Sequence, residues 1–267
     1  MLLVTSVNNE LFAEYGERMI REFDQNSDGS VRLAVIFEGH VPVISSLVNV
    51  DILPLRHPDH AKFLRRFGHL HEARGLRISI RSDQKIDLTV AWRFDAVRFS
   101  FKIFSLLQVL QESQVSGAFG WIDADVRCLK PFSAELLREF FPNDREIASY
   151  LGRTKFPLTR PCSECGFLGF NAANHESISY LNRVRQVYLT GEFFEYEEWH
   201  DSWIWDRVRI EFEGGGKQFK NLSGAYADTE HPFVNSGLGF FFDHLKGQRR
   251  KKNGTSFVSD RVSQESN

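Results

Sequence analysis

Apolar positions along this 267-residue chain switch between two spacings. Residues 2–5 form a short apolar run and predict a first strand. Leu11, Tyr15, Met19, Ile20 and Phe23 then recur at helical intervals and predict a helix. Residues 25–30 (QNSDGS) read as a turn. Residues 33–37 (LAVIF) predict a second buried strand ending at Glu38-Gly39, and residues 48–55 a third. Pro58 suits the first turn of a helix whose apolar face is Phe63, Leu64, Phe67 and Leu70. Residues 74–87 are polar and mixed, and read as a loop. Residues 94–110 are strongly helical. Residues 118–122 (AFGWI) predict a strand that runs straight into Asp123-Ala124-Asp125. Ser133 is placed to cap a short helix to Phe141. Residues 147–151 and 167–170 read as further strands. Asn174 is placed to cap a helix to about Tyr188, and a last helix starts near Asp201.

This alternation predicts an α/β sandwich with a mainly parallel central sheet. In such sheets ligands bind beyond the carboxyl ends of the strands. No internal repeat or Pro-rich linker divides the chain. Residues 1–250 read as one domain, and residues 251–267 as a polar, flexible tail.

Composition narrows the classes. Hydrophobic residues make up 42% and charged residues 25%, enough for a sizeable core. A net charge of −2 gives no sign of a nucleic-acid partner. Three cysteines, Cys128, Cys162 and Cys165, are too few and odd in number for a disulfide scaffold. The N-terminus lacks the basic flank of a signal peptide, and no apolar run approaches the ~18 residues of a membrane helix. A reducing cytoplasm is the expected compartment. The one basic run, residues 246–252, is either a solvated tail or a contact for anionic lipid.

The chemistry concentrates at Asp123 and Asp125. Alternate residues of an extended segment project to one side, so the two carboxylates can meet at one point. They repel there unless a cation intervenes, and hard oxygen ligands suit Mn²⁺ or Mg²⁺. Paired glycosidase carboxylates must stand further apart than this spacing offers.

The segment WIDADVRCLKPF resembles the Asp-x-Asp element of GT-A glycosyltransferases, in which an apolar strand, the acidic pair and a Pro-containing turn follow in that order. The resemblance implies a GT-A fold, that is, a Rossmann-like nucleotide-diphospho-sugar transferase sandwich. It also implies that Asp123 and Asp125 hold a metal against the donor diphosphate, and it favours Asp125 as the direct ligand. His244-Leu-Lys-Gly247-Gln-Arg-Arg250 resembles the His-x-x-Gly-x-x-Lys element of the glycogenin-like retaining enzymes. The implied roles are metal ligand for His244, close backbone approach for Gly247 and a diphosphate grip for Arg250, with Lys246 or Arg249 as substitutes. Retention of configuration is the outcome this element favours. Arg98 and Lys102 share a helix face just before the acidic strand, with Asp95 placed to orient Arg98. They are either a solvated face or contacts to the donor, and Ser6 is a further donor-side candidate.

Two more segments fit the resemblance. Residues 163–171 (SECGFLGFN) match a stretch that lines the sugar side in that superfamily, which makes Glu164 a catalytic candidate toward sugar hydroxyls. Cys162 and Cys165 cannot fill a tetrahedral zinc site alone, and read as packing. In residues 197–203 (EEWHDSW), Asp201 beside Trp199 and Trp203 is either an acceptor-side base or a helix cap. Gly214-Gly215-Gly216-Lys217 lacks phosphate-loop spacing and reads as a flexible loop, a candidate lid. The expected activity is metal-dependent transfer from a nucleotide-diphosphate sugar to a glycan or other hydroxyl acceptor. The rivals are an inactive sugar- or nucleotide-binding relative and a metal-dependent nucleotidyltransferase.

Overall fold

The computed structural model describes residues 1–80, 86–154 and 163–262. Its strands are β1 (Leu2–Asn8), β2 (Arg32–Glu38), β3 (Val50–Pro54), β4 (Leu76–Ile80), β5 (Ile86–Val90), β6 (Ala118–Ile122), β7 (Val126–Cys128), β8 (Glu146–Leu151), β9 (Glu164–Asn171), β10 (Gln218–Asn221) and β11 (Phe242–His244). The helices are α1 (Asn9–Leu11), α2 (Glu17–Asn26), α3 (Pro58–Phe67), α4 (Ala96–Glu112), α5 (Ala134–Leu137), α6 (His175–Thr190), α7 (Asp201–Gly214), α8 (Pro232–Asn235) and α9 (Gln248–Asn253). A π-helical turn, Phe12–Gly16, joins α1 to α2.

Seven strands form the central sheet in the order β10-β8-β9-β6-β1-β2-β3. It is an α/β architecture with a mostly parallel sheet, as the alternation predicts. The exception is β9, which runs antiparallel to both β6 and β8. Side chains alternate across the sheet. Leu33, Val35 and Phe37 of β2 pack with Met19, Ile20 and Phe23 of α2 on one face. Ala34 and Ile36 face the other side, with Phe63, Phe104, Tyr188 and Trp205 of the long helices. The Phe-rich composition is spent here: Phe63, Phe104, Phe119, Phe170 and Phe193 are all fully buried.

The capping expectations hold at Asn174, which accepts from the Glu176 amide, and at Ser133, which accepts from the Leu136 amide. Residues 74–87 differ from expectation. Arg74 ends a 3₁₀ turn, and β4 and β5 then pair antiparallel in register Leu76↔Val90. The apolar residues Leu76, Ile78, Ile80, Ile86, Leu88 and Val90 alternate with polar ones, a period of two that the surrounding charge hides. The glycine-rich stretch after α7 precedes β10, which runs parallel to β8. That puts it at the amino-terminal edge of the sheet, opposite the site described below, so it does not act as a lid there.

The chain after Gly247 is folded as far as Val262. Asp260 accepts from Arg249, Arg250 and the Phe257 amide. Asp243 accepts from Thr255 Oγ1 and the Ser256 amide. Residues 263–267 lie outside the described residues. No described helix is long and apolar enough to cross a membrane.

Candidate functional site

The parallel strands β1, β2 and β6 end on one edge of the sheet, at Asn8, Glu38 and Ile122. Because β9 is reversed, its beginning lies on that edge too, with Phe167 opposite Ile122. Asp123 and Asp125 follow β6, and the Asp123 amide donates to the Gly166 carbonyl at 3.0 Å. The chain then forms β7, whose antiparallel partner is β11 in register His244↔Val126. The Leu245 amide donates to the Asp125 carbonyl at 2.9 Å. This small two-stranded sheet brings a residue 119 positions downstream against the acidic pair (244 − 125).

Ligand atoms of Asp123, Asp125 and His244 all lie within 4.8 Å of one another. His244 Nε2 is 3.5 Å from Asp123 Oδ2 and 3.3 Å from Asp125 Oδ1. Two carboxylates and one imidazole fit Mn²⁺ or Mg²⁺, with positions left for phosphate oxygens. Gly166 makes room for the ring: a Cβ there would come within 2.7 Å of His244 Nδ1.

Cations of the protein itself compensate this cluster. Lys102 is 5% exposed, and its ammonium lies 3.2 Å from Asp123 Oδ1 and 2.6 Å from Asp201 Oδ2. Burial alone would lower its pKa, but Asp123 and Asp201 outweigh that and hold it charged. Burial likewise pushes Asp125 up, yet His244 and Lys251 prevail and hold its carboxyl well below the usual range. Lys251 Nζ is 3.0 Å from Asp125 Oδ2. Asp123 is also held low, by Lys102 and His244 against burial and the neighbouring Asp125. Burial lowers the pKa of His244, but Asp125 and hydrogen bonds to Asp123, Asp125 and Glu164 raise it well above 6.5. A metal taking this ring as a ligand would therefore have to displace a proton from it.

Two cavities meet at the cluster. The larger, ≈ 730 Å³, is lined by Ser6, Tyr15, Glu38, Arg98, Lys102 and Lys251 among others. The smaller, ≈ 410 Å³, is lined by Trp92, Arg153, Gly166, His200, Trp203 and Lys246 among others. Asp123, Asp125 and Asp201 border both. Ser6 Oγ donates to Glu38 Oε1 at 2.9 Å, and burial pushes the Glu38 carboxyl up to about 7. Arg98 and Lys102 share the larger cavity, as their spacing predicts. Asp95 bonds the Arg98 amide at 3.0 Å and so caps α4.

Several expectations change. Arg250 is turned away from the cluster: it pairs with Asp260 at 2.6 Å and with the Lys246 carbonyl at 2.8 Å. One residue along α9 is a rotation of roughly 100°, so Lys251 faces the acidic pair instead. Arg249 is also paired with Asp260, so two bases of the run expected to be a solvated tail or a lipid contact are engaged within the chain. Glu164 lines neither of these two cavities; it is 0% exposed and bonded to His244 Nδ1 at 2.8 Å and to Arg153 at 2.9 Å. Asp201 is the first residue of α7 and not its cap. Its oxygens take Lys102 and the Ser202 amide, so it serves as counter-ion to a buried lysine. Trp199 is buried among Phe94, Phe193 and Phe194 and lines neither of these cavities, while Trp203 borders the smaller one.

Gly247 has φ +85° and open space where a Cβ would stand, so it serves the turn into α9. Cys165 and Cys128 are buried and free, while Cys162 lies outside the described residues. Sequence reasoning did not find Tyr15, Glu38, Lys251 or His231 as site residues. Tyr15 lies in the π-helical turn, a distortion that often marks functional positions. No protein-family model matches the chain, and no curated protein matches it either.

Proposed function

We propose that the protein is a metal-dependent glycosyltransferase of the GT-A type, moving a sugar from a nucleotide diphosphate to a hydroxyl acceptor. One observation carries the reading. A three-ligand cluster suited to a hard divalent cation stands between two cavities at the carboxyl edge of an α/β sheet.

In this reading the larger cavity takes the nucleotide diphosphate. Arg98 has no ion-pair partner among the described residues and lines that cavity, so its guanidinium is available to a phosphate. Lys251, paired with Asp125, lines the same cavity and would be a second cation for the diphosphate. Asp123, Asp125 and His244 hold Mn²⁺ or Mg²⁺, which supplies positive charge for the leaving diphosphate. The smaller cavity takes the transferred sugar and the acceptor. Trp92, about half exposed, offers a flat apolar face there, while Trp203 and the bonded pair Glu198 and His200 form part of its wall. In the reaction the bond from the anomeric carbon to the diphosphate oxygen would break, its electron pair leaving with the nucleotide diphosphate, as the acceptor hydroxyl oxygen bonds to that carbon and gives its proton to the departing diphosphate oxygen. Lys102, fixed between Asp123 and Asp201, keeps the two cavities' shared wall in place.

A hydrolysis screen of UDP- and GDP-sugars with Mn²⁺ or Mg²⁺ tests the reading. Slow release of free sugar from at least one donor, stopped by EDTA, is the expected outcome. Nucleotide binding with no turnover on any donor or acceptor would turn the reading toward a binding protein.

A further inference from the structure

The side of His244 away from the acidic pair is as closely specified as the side facing it. Glu164 Oε1 lies 2.8 Å from His244 Nδ1, and the carboxylate is fully buried at the start of β9. His231 Nε2 is 2.7 Å from the backbone carbonyl of His244, and its Nδ1 is 3.1 Å from the same Glu164 oxygen. The other oxygen of Glu164 accepts from Arg153 at 2.9 Å, with the Phe233 amide at 3.5 Å.

We propose that Glu164 is a positioning residue that fixes the tautomer of His244 and thereby makes its Nε2 a metal ligand. This deepens the metal-site reading above and rests on it. An ionised carboxylate only accepts hydrogen bonds. The imidazole nitrogen facing Glu164 must therefore carry a hydrogen. With that hydrogen on Nδ1, the neutral ring presents a lone pair at Nε2, toward Asp123 and Asp125. Ligating histidines commonly have such a partner on the far nitrogen, and losing it typically costs about 10–100-fold in metal affinity.

Arg153 makes the proposal sharp. A glutamine at 164 would have one acceptor oxygen and one donor NH₂. Arg153 only donates, so it claims the oxygen. The NH₂ then faces His244 Nδ1 and forces the hydrogen onto Nε2, where it blocks the metal. Glu164→Gln is thus expected to weaken Mn²⁺ binding by about 10–100-fold, measured as free Mn²⁺ by electron paramagnetic resonance. Adding Arg153→Met frees the glutamine oxygen for His244 and is expected to recover most of the affinity. A purely structural role for Glu164 predicts no such recovery, since the double variant loses more of the buried network. Nitrogen-15 spectra of the Mg²⁺-loaded wild type are expected to place the His244 hydrogen on Nδ1.

Glu164→Asp keeps the charge but draws it back toward the β9 backbone by one methylene and so away from His244 Nδ1, which provides a second variant should the glutamine protein fold poorly. It too is expected to lose affinity. Unchanged Mn²⁺ affinity in either folded variant, or loss in Glu164→Gln without recovery in the double variant, would overturn the assignment. Absence of Mn²⁺ binding in the wild type would instead overturn the metal-site reading on which it stands.

Discussion

Asp125→Asn is expected to remove metal-dependent nucleotide binding and sugar transfer while leaving a folded protein. Asp125 is one of the three groups proposed to hold the metal, and its loss is expected to exceed the roughly 10–100-fold effect of losing a ligand's supporting partner. Two neighbouring carboxylates suggest that an amide here would relieve repulsion and stabilise the chain. The partners argue otherwise. Asp125 already faces His244 at 3.3 Å and Lys251 at 3.0 Å, and hydrogen bonds to charged groups contribute about 1.5–3 kcal/mol. A modest loss of stability is therefore expected. The measurement pairs urea unfolding with Mn²⁺ titration. Mn²⁺ affinity close to wild type in the variant would contradict the ligand assignment.

Lys102→Met is expected to have the largest effect on stability. The ammonium is the shared partner of Asp123 and Asp201, and it also donates to the Cys165 carbonyl at 2.7 Å. Methionine fills a similar volume but leaves Asp201 without its cation and Asp123 with His244 alone. Breaking a buried pair from one side typically costs about 3–5 kcal/mol. Urea unfolding reads this as a lower midpoint. Mn²⁺ is expected to restore part of the loss, because it returns positive charge to Asp123 and binds only the folded chain. A midpoint equal to that of the wild type would show that Lys102 is not the charge that holds this wall together.

The readable parts of the sequence were those in which pattern and position agree. The apolar runs at residues 33–37 and 118–122 are β2 and β6, and the acidic pair sits where β6 ends. Asn174 and Ser133 cap the helices that follow them. What stayed hidden depends on long-range pairing. The strands β7 and β11 have three residues each, too few to show a period, yet their pairing sets His244 against Asp125. The resemblance to the His-x-x-Gly-x-x-Lys element gave the histidine. For the base it pointed to Arg250, with Lys246 or Arg249 as substitutes, whereas α9 turns Arg250 toward Asp260 and Lys251 toward Asp125. Glu164 was visible as a polar residue before an apolar strand. Nothing local to it shows that His231, His244 and Arg153 converge on it from other elements. Gly166 carries a fainter signal, a glycine in a buried strand, which often marks a close approach by another group.

The central claim is that Asp123, Asp125 and His244 bind a divalent cation that in turn holds a nucleotide diphosphate. Calorimetric titration of the wild-type protein with UDP and with GDP, each with Mn²⁺ and with EDTA, tests it most directly. The account predicts saturable binding of at least one nucleotide with Mn²⁺, accompanied by proton release from His244, and a large loss of affinity in EDTA. Equal nucleotide affinity with and without the metal would contradict it.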